Sequence, residues 1–396
     1  MSAIAKANLP FREAPGRQIP ASNSRPAAST GRPLPLRRLL SVWHAGLILL
    51  LLTFVPPLPA ALITYEGFAY VDNASLNTQT GGTGWQTGFG WAGGGSATIT
   101  TPGRTFPGLA NSGRSALFRA GGIQTRAFVT TGYASLRTSG RFGLDGTELW
   151  LSFLARRETN FFVGDSGGLS LMDGNTVELF VGCPAGAARW SVQLPELGTA
   201  PANITPAPNA PLVTGETTLL VVRMSFGVNG TQDRVDLFVN PAPGVIPTTP
   251  NATRTGADIR FDRLRLQSGA SALSAMSFDE IRLGESFSDV VPTTPNPAIA
   301  WLRAGAQRVT AGAEITLPLQ YAWPAGDLAT LGLAVESADT GILPADRITV
   351  VGTGANRRVT FRPLPSERGS AAVTATLTQP GGSVVTATFD LLILKT

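Results

Sequence analysis

The sequence of 396 residues predicts an all-β protein made of two sandwiches. From residue 62 onward, short alternating or β-branched apolar runs are separated by glycine, proline, asparagine and aspartate. No stretch keeps apolar residues at helical spacing over three turns, and runs bounded by turn-forming residues are typical of β-sheets. The segment 292–297 contains three prolines, which predicts a stiff linker between two domains.

Residues 1–61 have the pattern of a secretion signal with a long charged segment. Two arginines precede the apolar run 45–55, and the prolines and small residues of 56–61 favour cleavage near Ala60 or Ala61. We therefore expect a secreted or cell-envelope protein whose mature chain has no membrane span. The alternative is an uncleaved signal anchor, although the apolar run is shorter than the roughly 20 residues that cross a bilayer comfortably.

The formal net charge of +5 belongs mainly to this signal segment. Seven of the 31 basic residues but only one of the 26 acidic residues precede residue 62, which leaves 24 basic and 25 acidic residues. A nucleic-acid-binding protein needs a basic surface to neutralise phosphates. The balanced charge of the remaining chain therefore argues against a nucleic-acid partner.

The mature chain has almost none of the side chains that most hydrolases use. The only histidine, His44, lies in the signal segment, and Cys183 is the only cysteine. This excludes Ser-His-Asp and Cys-His sites, a histidine-ligated zinc and a histidine general base. It also excludes an internal disulfide, so we expect Cys183 to be a small core residue, with an exposed or dimer-forming thiol as the alternative.

The strand candidates follow one another closely through the first part of the chain. The segment Glu148 to Arg156 has apolar residues on both faces, which places it in the middle of a sandwich. The clear strand candidates are Ala97 to Thr101, Ser115 to Phe118, Glu148 to Arg156, Gly168 to Met172, Val177 to Val181, Trp190 to Leu194, Thr217 to Phe226, Arg234 to Val239, Ile259 to Gln267 and Ser277 to Leu283.

The lengths of the two parts suit two different sandwiches. The part 62–291 has 230 residues, enough for a jelly roll of a dozen or more strands. The part 298–396 has about seven strand patterns, a number typical of an immunoglobulin-like domain. Those strands include Glu314 to Leu319, Arg347 to Val351, Arg358 to Arg362, Ala371 to Leu377 and Val384 to Leu394.

Several short motifs add a family resemblance. The first part opens with ITYEGFAY at 63–70, continues with GGTGW at 81–85 and closes with FDEIRLG at 278–284. These segments resemble the concanavalin A-like, LamG-type jelly-roll domains of secreted planctomycete and verrucomicrobial proteins. Residues 335–394 resemble the immunoglobulin- or cadherin-like modules of bacterial surface proteins. The resemblance implies a concanavalin A-like jelly roll followed by a smaller immunoglobulin-like sandwich, a fold that hosts lectins, adhesins and glycosidases alike.

Three aromatic residues are the candidate ligand-binding site. Trp85, Phe89 and Trp91 are crowded into a loop rich in glycine and threonine. Sugar recognition commonly uses aromatic faces that stack on pyranose rings, and glycines allow a ligand to approach the backbone closely. The alternative is that the same aromatic side chains close the open end of the sandwich.

Two acidic residues are the candidate ligands of one structural calcium ion. Glu66 lies on the predicted first strand and Asp279 on the last, which are expected to be neighbours in a jelly roll. Calcium prefers six to eight oxygen ligands from carboxylates and carbonyls. The alternative is a pair of buried acids that accept hydrogen bonds from loop backbone and from an arginine, for example Arg282.

A glycosidase would need two carboxylates on one side of a groove. The chain lacks the Glu-x-Asp-x-x-Glu pattern of the concanavalin-like glucanases, so we do not expect an enzyme. The acidic pairs nearest to this pattern are Asp145 with Glu148, Asp233 with Asp236, and Asp279 with Glu280.

We therefore predict non-catalytic binding of an extracellular polysaccharide or glycoprotein. A structural or adhesive surface protein without a small ligand is the second possibility, and a histidine-independent carbohydrate-active enzyme is the third.

Overall fold

The computed structural model describes residues 61–395, except 112, 162–163, 196–203, 228–231, 295–297, 304, 324–327 and 381–383. The predicted signal segment lies outside the described residues, apart from Ala61. The described part is built almost entirely of strands, which confirms the all-β class. They are β1 Leu62–Glu66, β2 Ala92–Thr100, β3 Ser115–Ala127, β4 Arg137–Thr138, β5 Arg141–Phe142, β6 Glu148–Arg157, β7 Gly167–Asp173, β8 Thr176–Cys183, β9 Arg189–Gln193, β10 Ile204–Pro211, β11 Thr217–Ser225, β12 Arg234–Val239, β13 Ala252–Thr255, β14 Arg263–Gln267, β15 Ala275–Gly284, β16 Ala298–Trp301, β17 Gln307–Thr310, β18 Ile315–Ala322, β19 Gly332–Ser337, β20 Ile348–Val351, β21 Asn356–Phe361, β22 Gly369–Thr378 and β23 Val384–Leu394.

Short helices complete the described structure. The α-helix α1 spans Phe287–Val290, and 3-10 helices span Ala134–Leu136, Leu328–Thr330 and Ala345–Arg347. Ser286 caps α1 through a capping box with Asp289, which satisfies backbone N–H groups that the first turn leaves free. In the described residues, no helix has the length and apolar character needed to cross a membrane.

The large sandwich is one antiparallel sheet that bends into two layers. Its strand order is β10-β9-β8-β7-β14-β3-β15-β6-β11-β12-β13, with β1 beside β15 and β2 beside β3. The bend lies inside β3, whose first half pairs with β15 and whose second half pairs with β14. Ala120 and Gly121, between the two halves, have φ of 47° and 74°, left-handed values at which the strand can change direction.

We call the layer of β10, β9, β8, β7, β14 and the second half of β3 the front layer, and the layer of β15, β6, β11, β12 and β13 the back layer. One core fills the space between them. The back layer contributes Leu151 and Phe153 of β6, and the front layer contributes Leu169 and Leu171 of β7. Alternate residues of each strand point to this core, as expected for a sandwich.

The outer face of the back layer is also covered. Trp150 and Leu154 of β6 pack there with Phe287 of α1 and with Leu302, which follows β16. Both faces of β6 are therefore buried, and the strand lies between β15 and β11. The structure confirms the central position that the sequence of β6 predicts.

The last eight strands form a small sandwich of two four-stranded sheets, with the orders β16-β18-β21-β20 and β17-β23-β22-β19. Its core contains Trp301, Phe361 and Phe389, and the rings of Trp301 and Phe389 are 4.9 Å apart. The predicted arrangement, a large sandwich followed by a smaller one, is confirmed.

Hydrogen bonds join the two sandwiches. The described part of the predicted linker is bound to the preceding chain: Ala110 N donates to Pro292 O at 2.9 Å and Thr294 N to Gly108 O at 3.0 Å. Between the two sandwiches, Thr217 N of β11 donates to the carbonyl oxygen of Leu302, which follows β16, at 2.7 Å. Residues Pro56–Thr396 accordingly belong to one compact unit.

Several strands differ from the sequence predictions: β3 continues to Ala127, beyond its predicted end at Phe118, and β4, β5 and β13 were not predicted. β10 was not predicted because it contains three prolines, and a proline has no N–H group to donate within a sheet. The prolines are tolerated because β10 lies at the edge of the front layer. The strand predicted from Ile259 begins only at Arg263, because Ile259 N donates instead to the Asp233 carboxylate at 2.6 Å. Cys183 is buried and free, as expected for a core cysteine.

Candidate functional site

The two tryptophans of the predicted stacking platform lie inside the large sandwich. Trp85 is 7% exposed and Trp91 is 1% exposed. The ring of Trp85 stacks on Phe128 at 5.3 Å and contacts Trp91 at 5.6 Å. The prediction that these two rings offer free faces to a sugar is therefore corrected. Their positions match the alternative, in which aromatic side chains close the end of the sandwich.

The glycines of this loop have a structural role. Gly84 has φ of +77°, and a Cβ added to it would lie 1.9 Å from Ile63 O on β1. Gly82 has φ of +76°, and its added Cβ would lie 2.5 Å from Tyr65 O. The glycines thus allow the loop to pack directly on β1, instead of leaving room for a ligand.

Phe89 is the exposed member of the predicted platform. Its side chain is 60% exposed, and its backbone N–H donates to Gln86 O at 3.3 Å. Gln86 lines a depression on the front layer that is described below. Phe89 therefore remains available to a ligand, although the two tryptophans do not accompany it.

Glu66 is the centre of a buried polar network. Its Oε2 accepts hydrogen bonds from Arg126 Nη1 at 2.8 Å, Tyr70 Oη at 2.7 Å and Trp91 Nε1 at 3.0 Å. Its Oε1 accepts one from Phe68 N at 2.9 Å. Burial and the neighbouring Glu66 carboxylate raise the pKa of the Tyr70 phenol. The phenol is therefore neutral at physiological pH and remains a donor.

Glu66 and Asp279 do not fit the predicted calcium site. The Arg126 guanidinium already provides the positive charge beside Glu66, and four donors occupy that carboxylate. The Asp279 carboxylate instead accepts Arg104 N at 2.7 Å and Glu280 N at 2.8 Å. Both acids resemble the alternative of hydrogen-bonded buried carboxylates, with Arg126 rather than Arg282 as the arginine partner.

A second group of acids has the spacing of a metal site but holds an arginine. The carboxylates of Asp145, Asp233 and Asp258 lie within 4.8 Å of one another. Arg260 donates to Asp145 and pairs with Asp258, each at 2.6 Å, and its Nη1 lies 3.6 Å from Asp233. The guanidinium thus pairs with all three carboxylates, and its single positive charge offsets part of theirs.

Among the described residues, the outward face of the front layer is partly exposed at β14 and at Gln193, whereas Ser170 and Phe180 of the same face are buried. We call this surface the front face. On β14, Leu264 and Leu266 point into the core, so Arg263, Arg265 and Gln267 point outward. The strand registers extend the row of Arg265 across five strands. This row consists of Thr125, Arg265, Ser170, Phe180 and Gln193.

Two depressions lie on the front face and share β14. The larger has a volume of about 450 Å³ and includes Arg265, Gln267, Gln193 and Phe180 among its lining residues. The smaller has a volume of about 220 Å³, and its lining residues include Arg263. Together they offer amide and guanidinium groups that can donate hydrogen bonds to hydroxyl and carboxylate oxygens.

Glycines on two neighbouring strands make room for the aromatic part of this surface. A Cβ added to Gly168 of β7 would lie 2.9 Å from Phe180 Cζ, and one added to Gly182 of β8 would lie 3.1 Å from it. The ring of Phe180 therefore lies over backbone that has no side chain. It forms the apolar part of the larger depression.

Arg265 stands out among the arginines of the front face. Its Nε is buried and has no hydrogen-bond partner among the described residues. Burial lowers the pKa of Arg265, and no acidic group acts against this effect. Arg263, by comparison, forms two hydrogen bonds with the carboxylate of Asp262, at 2.8 Å and 3.0 Å.

The described lining of the two depressions lacks a pair of carboxylates for glycosidic hydrolysis. Among the described residues that line the two depressions, Asp262 is the only acid. Burial acts to raise the pKa of Asp262, but hydrogen bonds from Arg263 and from Gly174 N lower it overall. Asp262 is thus an ionised structural partner, and a proton donor for a leaving group would have to come from elsewhere.

Arg265 is absent from the site predicted from the sequence, although its segment carries one signal for this surface. The segment Arg263–Gln267 alternates polar and apolar side chains within a predicted strand. Such alternation indicates a strand with one face in the core and one face free. It does not indicate that Arg265 lacks an acidic partner, because this depends on the strands beside it.

No family model matches the chain, and no curated protein matches it. Solved structures that resemble it include an alginate lyase of polysaccharide lyase family 7, AlgAT5, with 8% identity, coverage of 45% of this chain and 82% of that chain, and a TM-score of 0.31. The cellulose-induced protein Cip1 has 13% identity, coverage of 48% and 90%, and a TM-score of 0.26. The titin M3 domain has 18% identity, coverage of 25% and 98%, and a TM-score of 0.18. At TM-scores this low, the likeness carries no argument about function.

Proposed function

We propose that this protein is a secreted or cell-envelope protein that binds an acidic polysaccharide, without catalysis, on its front face. The observation that carries the proposal is the half-buried Arg265, which lines the larger depression and has no acidic partner among the described residues. A guanidinium in this state gains most from a ligand that supplies carboxylate or sulfate oxygens.

The neighbours of Arg265 suit a saccharide. Gln193 and Gln267 are partly exposed and can donate to and accept from sugar hydroxyls. The row of outward residues crosses five strands, so that several units of a chain could contact it. The single, arginine-bound carboxylate of Asp262 favours binding over hydrolysis.

The proposal can be tested by measuring the binding of the purified protein to uronate-bearing, sulfated and neutral polysaccharides. We expect selective binding to the anionic polymers that weakens as the salt concentration increases. Arg265→Ala should reduce this affinity at least tenfold, because it removes the unpaired cation. Arg119→Ala is a matched control, since Arg119 is an exposed arginine of β3 that lines neither depression.

Two results would contradict the proposal. One is equal affinity of the wild-type protein and Arg265→Ala for every anionic polymer. The other is the absence of binding to the whole panel, which would favour a structural or adhesive role without a small ligand. Release of reducing ends or unsaturated products would instead indicate a carbohydrate-active enzyme.

A further inference from the structure

A cleft of about 330 Å³ lies between the large and the small sandwich. The large sandwich contributes Glu216, Asn240 and Asn251, and the small sandwich contributes Arg357 and Arg358. Ligand sites often lie where two folded units meet, and this volume is large enough for roughly one or two sugar rings. None of these residues belongs to the front face.

Glu216 is the unusual group of the cleft. Its residue is 9% exposed, and its Oε1 is buried without a hydrogen-bond partner among the described residues. Burial raises the pKa of Glu216, while the charges of Arg358 and Arg303 act in the opposite direction. The arginines thus influence the carboxylate electrostatically, but they leave Oε1 without a bond.

The backbone holds Glu216 rigidly at the junction. The backbones of Glu216 and Arg303 form an isolated antiparallel β-bridge, and the N–H of the next residue, Thr217, donates to Leu302 O at 2.7 Å. Glu216 also precedes β11, a strand in the middle of the back layer. These backbone contacts place Glu216 at the contact between the two sandwiches.

The side-chain amide oxygens of Asn240 and Asn251 already accept hydrogen bonds from backbone N–H groups. Asn240 Oδ1 accepts Leu219 N at 2.9 Å, and Asn251 Oδ1 accepts Val239 N at 2.7 Å. Each side chain therefore retains its NH₂ group as a donor. With the arginines, the cleft offers several donors, and with Glu216 it offers one strong acceptor.

We propose that this cleft is a second binding site, which takes the end of a saccharide chain or a free oligosaccharide of one or two rings. A sugar hydroxyl would donate to the Glu216 carboxylate, and neighbouring sugar oxygens would accept from Arg358 and from the asparagine amides. A hydroxyl-rich ligand suits this set because each hydroxyl can both donate and accept. Trp190 and Leu302 provide apolar walls for the ring carbons. This site does not depend on the front face.

The test is isothermal titration calorimetry of the full protein with di- and trisaccharides, in one series from neutral glucans and in another from uronate polymers. We expect saturable binding of at least one series, with an affinity reduced at least tenfold in Glu216→Gln and in Arg358→Ala. Arg362→Ala is the control, because Arg362 is an exposed arginine near the end of β21 that forms an ion pair with Glu314 outside the cleft.

Two variants separate a failure of the cleft site from a failure of the front-face site or of folding. Arg265→Ala should bind the short saccharides normally, because Arg265 lies on the front face, so failure of one site does not imply failure of the other. Glu216→Gln should fold, because it removes a buried charge without changing the shape of the side chain. Equal binding by the wild-type protein and both cleft variants would overturn the proposal, as would the absence of saturable binding in both series.

Discussion

The substitution Arg126→Met tests whether the buried ion pair holds the glycine-rich loop against the core. The side chains of Arg126 and Glu66 are 2% and 1% exposed. Arg126 also donates to Gly81 O at 2.7 Å, and its guanidinium lies 4.9 Å from the centre of the Trp85 ring. Methionine retains the apolar stem but removes the charge, so the buried Glu66 side chain would lose its cationic partner.

Removing one partner of a buried ion pair costs about 3–5 kcal/mol, because the other charge is left without compensation. We expect a loss of this size in the free energy of unfolding of the large sandwich. Arg141→Met is the control, since its ion pair with Asp173 is exposed and screened by solvent. We expect this control to unfold at the same denaturant concentration as the wild-type protein.

The measurement is urea unfolding followed by tryptophan fluorescence and circular dichroism, with the free energy taken from the shift in midpoint. The double variant Glu66→Leu, Arg126→Met should recover part of the loss, because it leaves no charge behind. A loss below about 1 kcal/mol in Arg126→Met would refute the reasoning. The loss in the free energy of unfolding would also be measured for Glu66→Leu alone. If the loss in the double variant equals the sum of the losses in the two single variants, the two groups do not act as a pair.

The remaining predictions use other features of the same chain. Gly84→Ala should abolish folding or greatly lower the melting temperature, whereas Gly94→Ala, which has no atom within 4 Å of its added Cβ and no left-handed φ, should lower it only slightly. Glu216→Gln should raise the melting temperature at pH 7, because burial raises the pKa of the Glu216 carboxyl in the folded state. The contribution of such a group to stability is fully present below the pKa that it has in the unfolded state, and it is lost as the pH rises through the pKa that it has in the folded state. The variant should therefore show a smaller fall in stability between acid and neutral pH, and an unchanged pH profile would contradict the burial of this group. Neither calcium nor a chelator should change the melting temperature, since Arg126 already neutralises Glu66; a shift of several degrees would indicate a calcium site elsewhere.

Sequence reasoning found most strands because each strand is defined by local alternation. The apolar run of β6 predicts burial on both faces, and the structure confirms it. The proline-rich β10 was missed, because its pairing depends on an edge position that no local pattern reveals. The order of the strands, and the bend of β3 between the layers, also depend on distant pairing.

The candidate site was harder to predict because residue type does not indicate which side of a loop faces solvent. Trp85 and Trp91 have the composition of a sugar-binding loop, but the glycines around them direct the loop onto β1. Arg265 carries the proposed function because the neighbouring strands place no acid beside it. Its exposure to a ligand is therefore a property of the sheet and not of its own segment.

The sequence by itself determined the all-β class, the division into a large and a small sandwich, and the lack of histidine beyond His44, because these follow from local spacing and composition. Only the tertiary structure decided which charges meet. Glu66 and Arg126 are 60 residues apart and form a buried pair, whereas Glu216 meets Arg357 and Arg358 only where the two sandwiches touch. Such pairings depend on long-range strand register and on the contact between sandwiches, and neither leaves a pattern in a single segment of the chain.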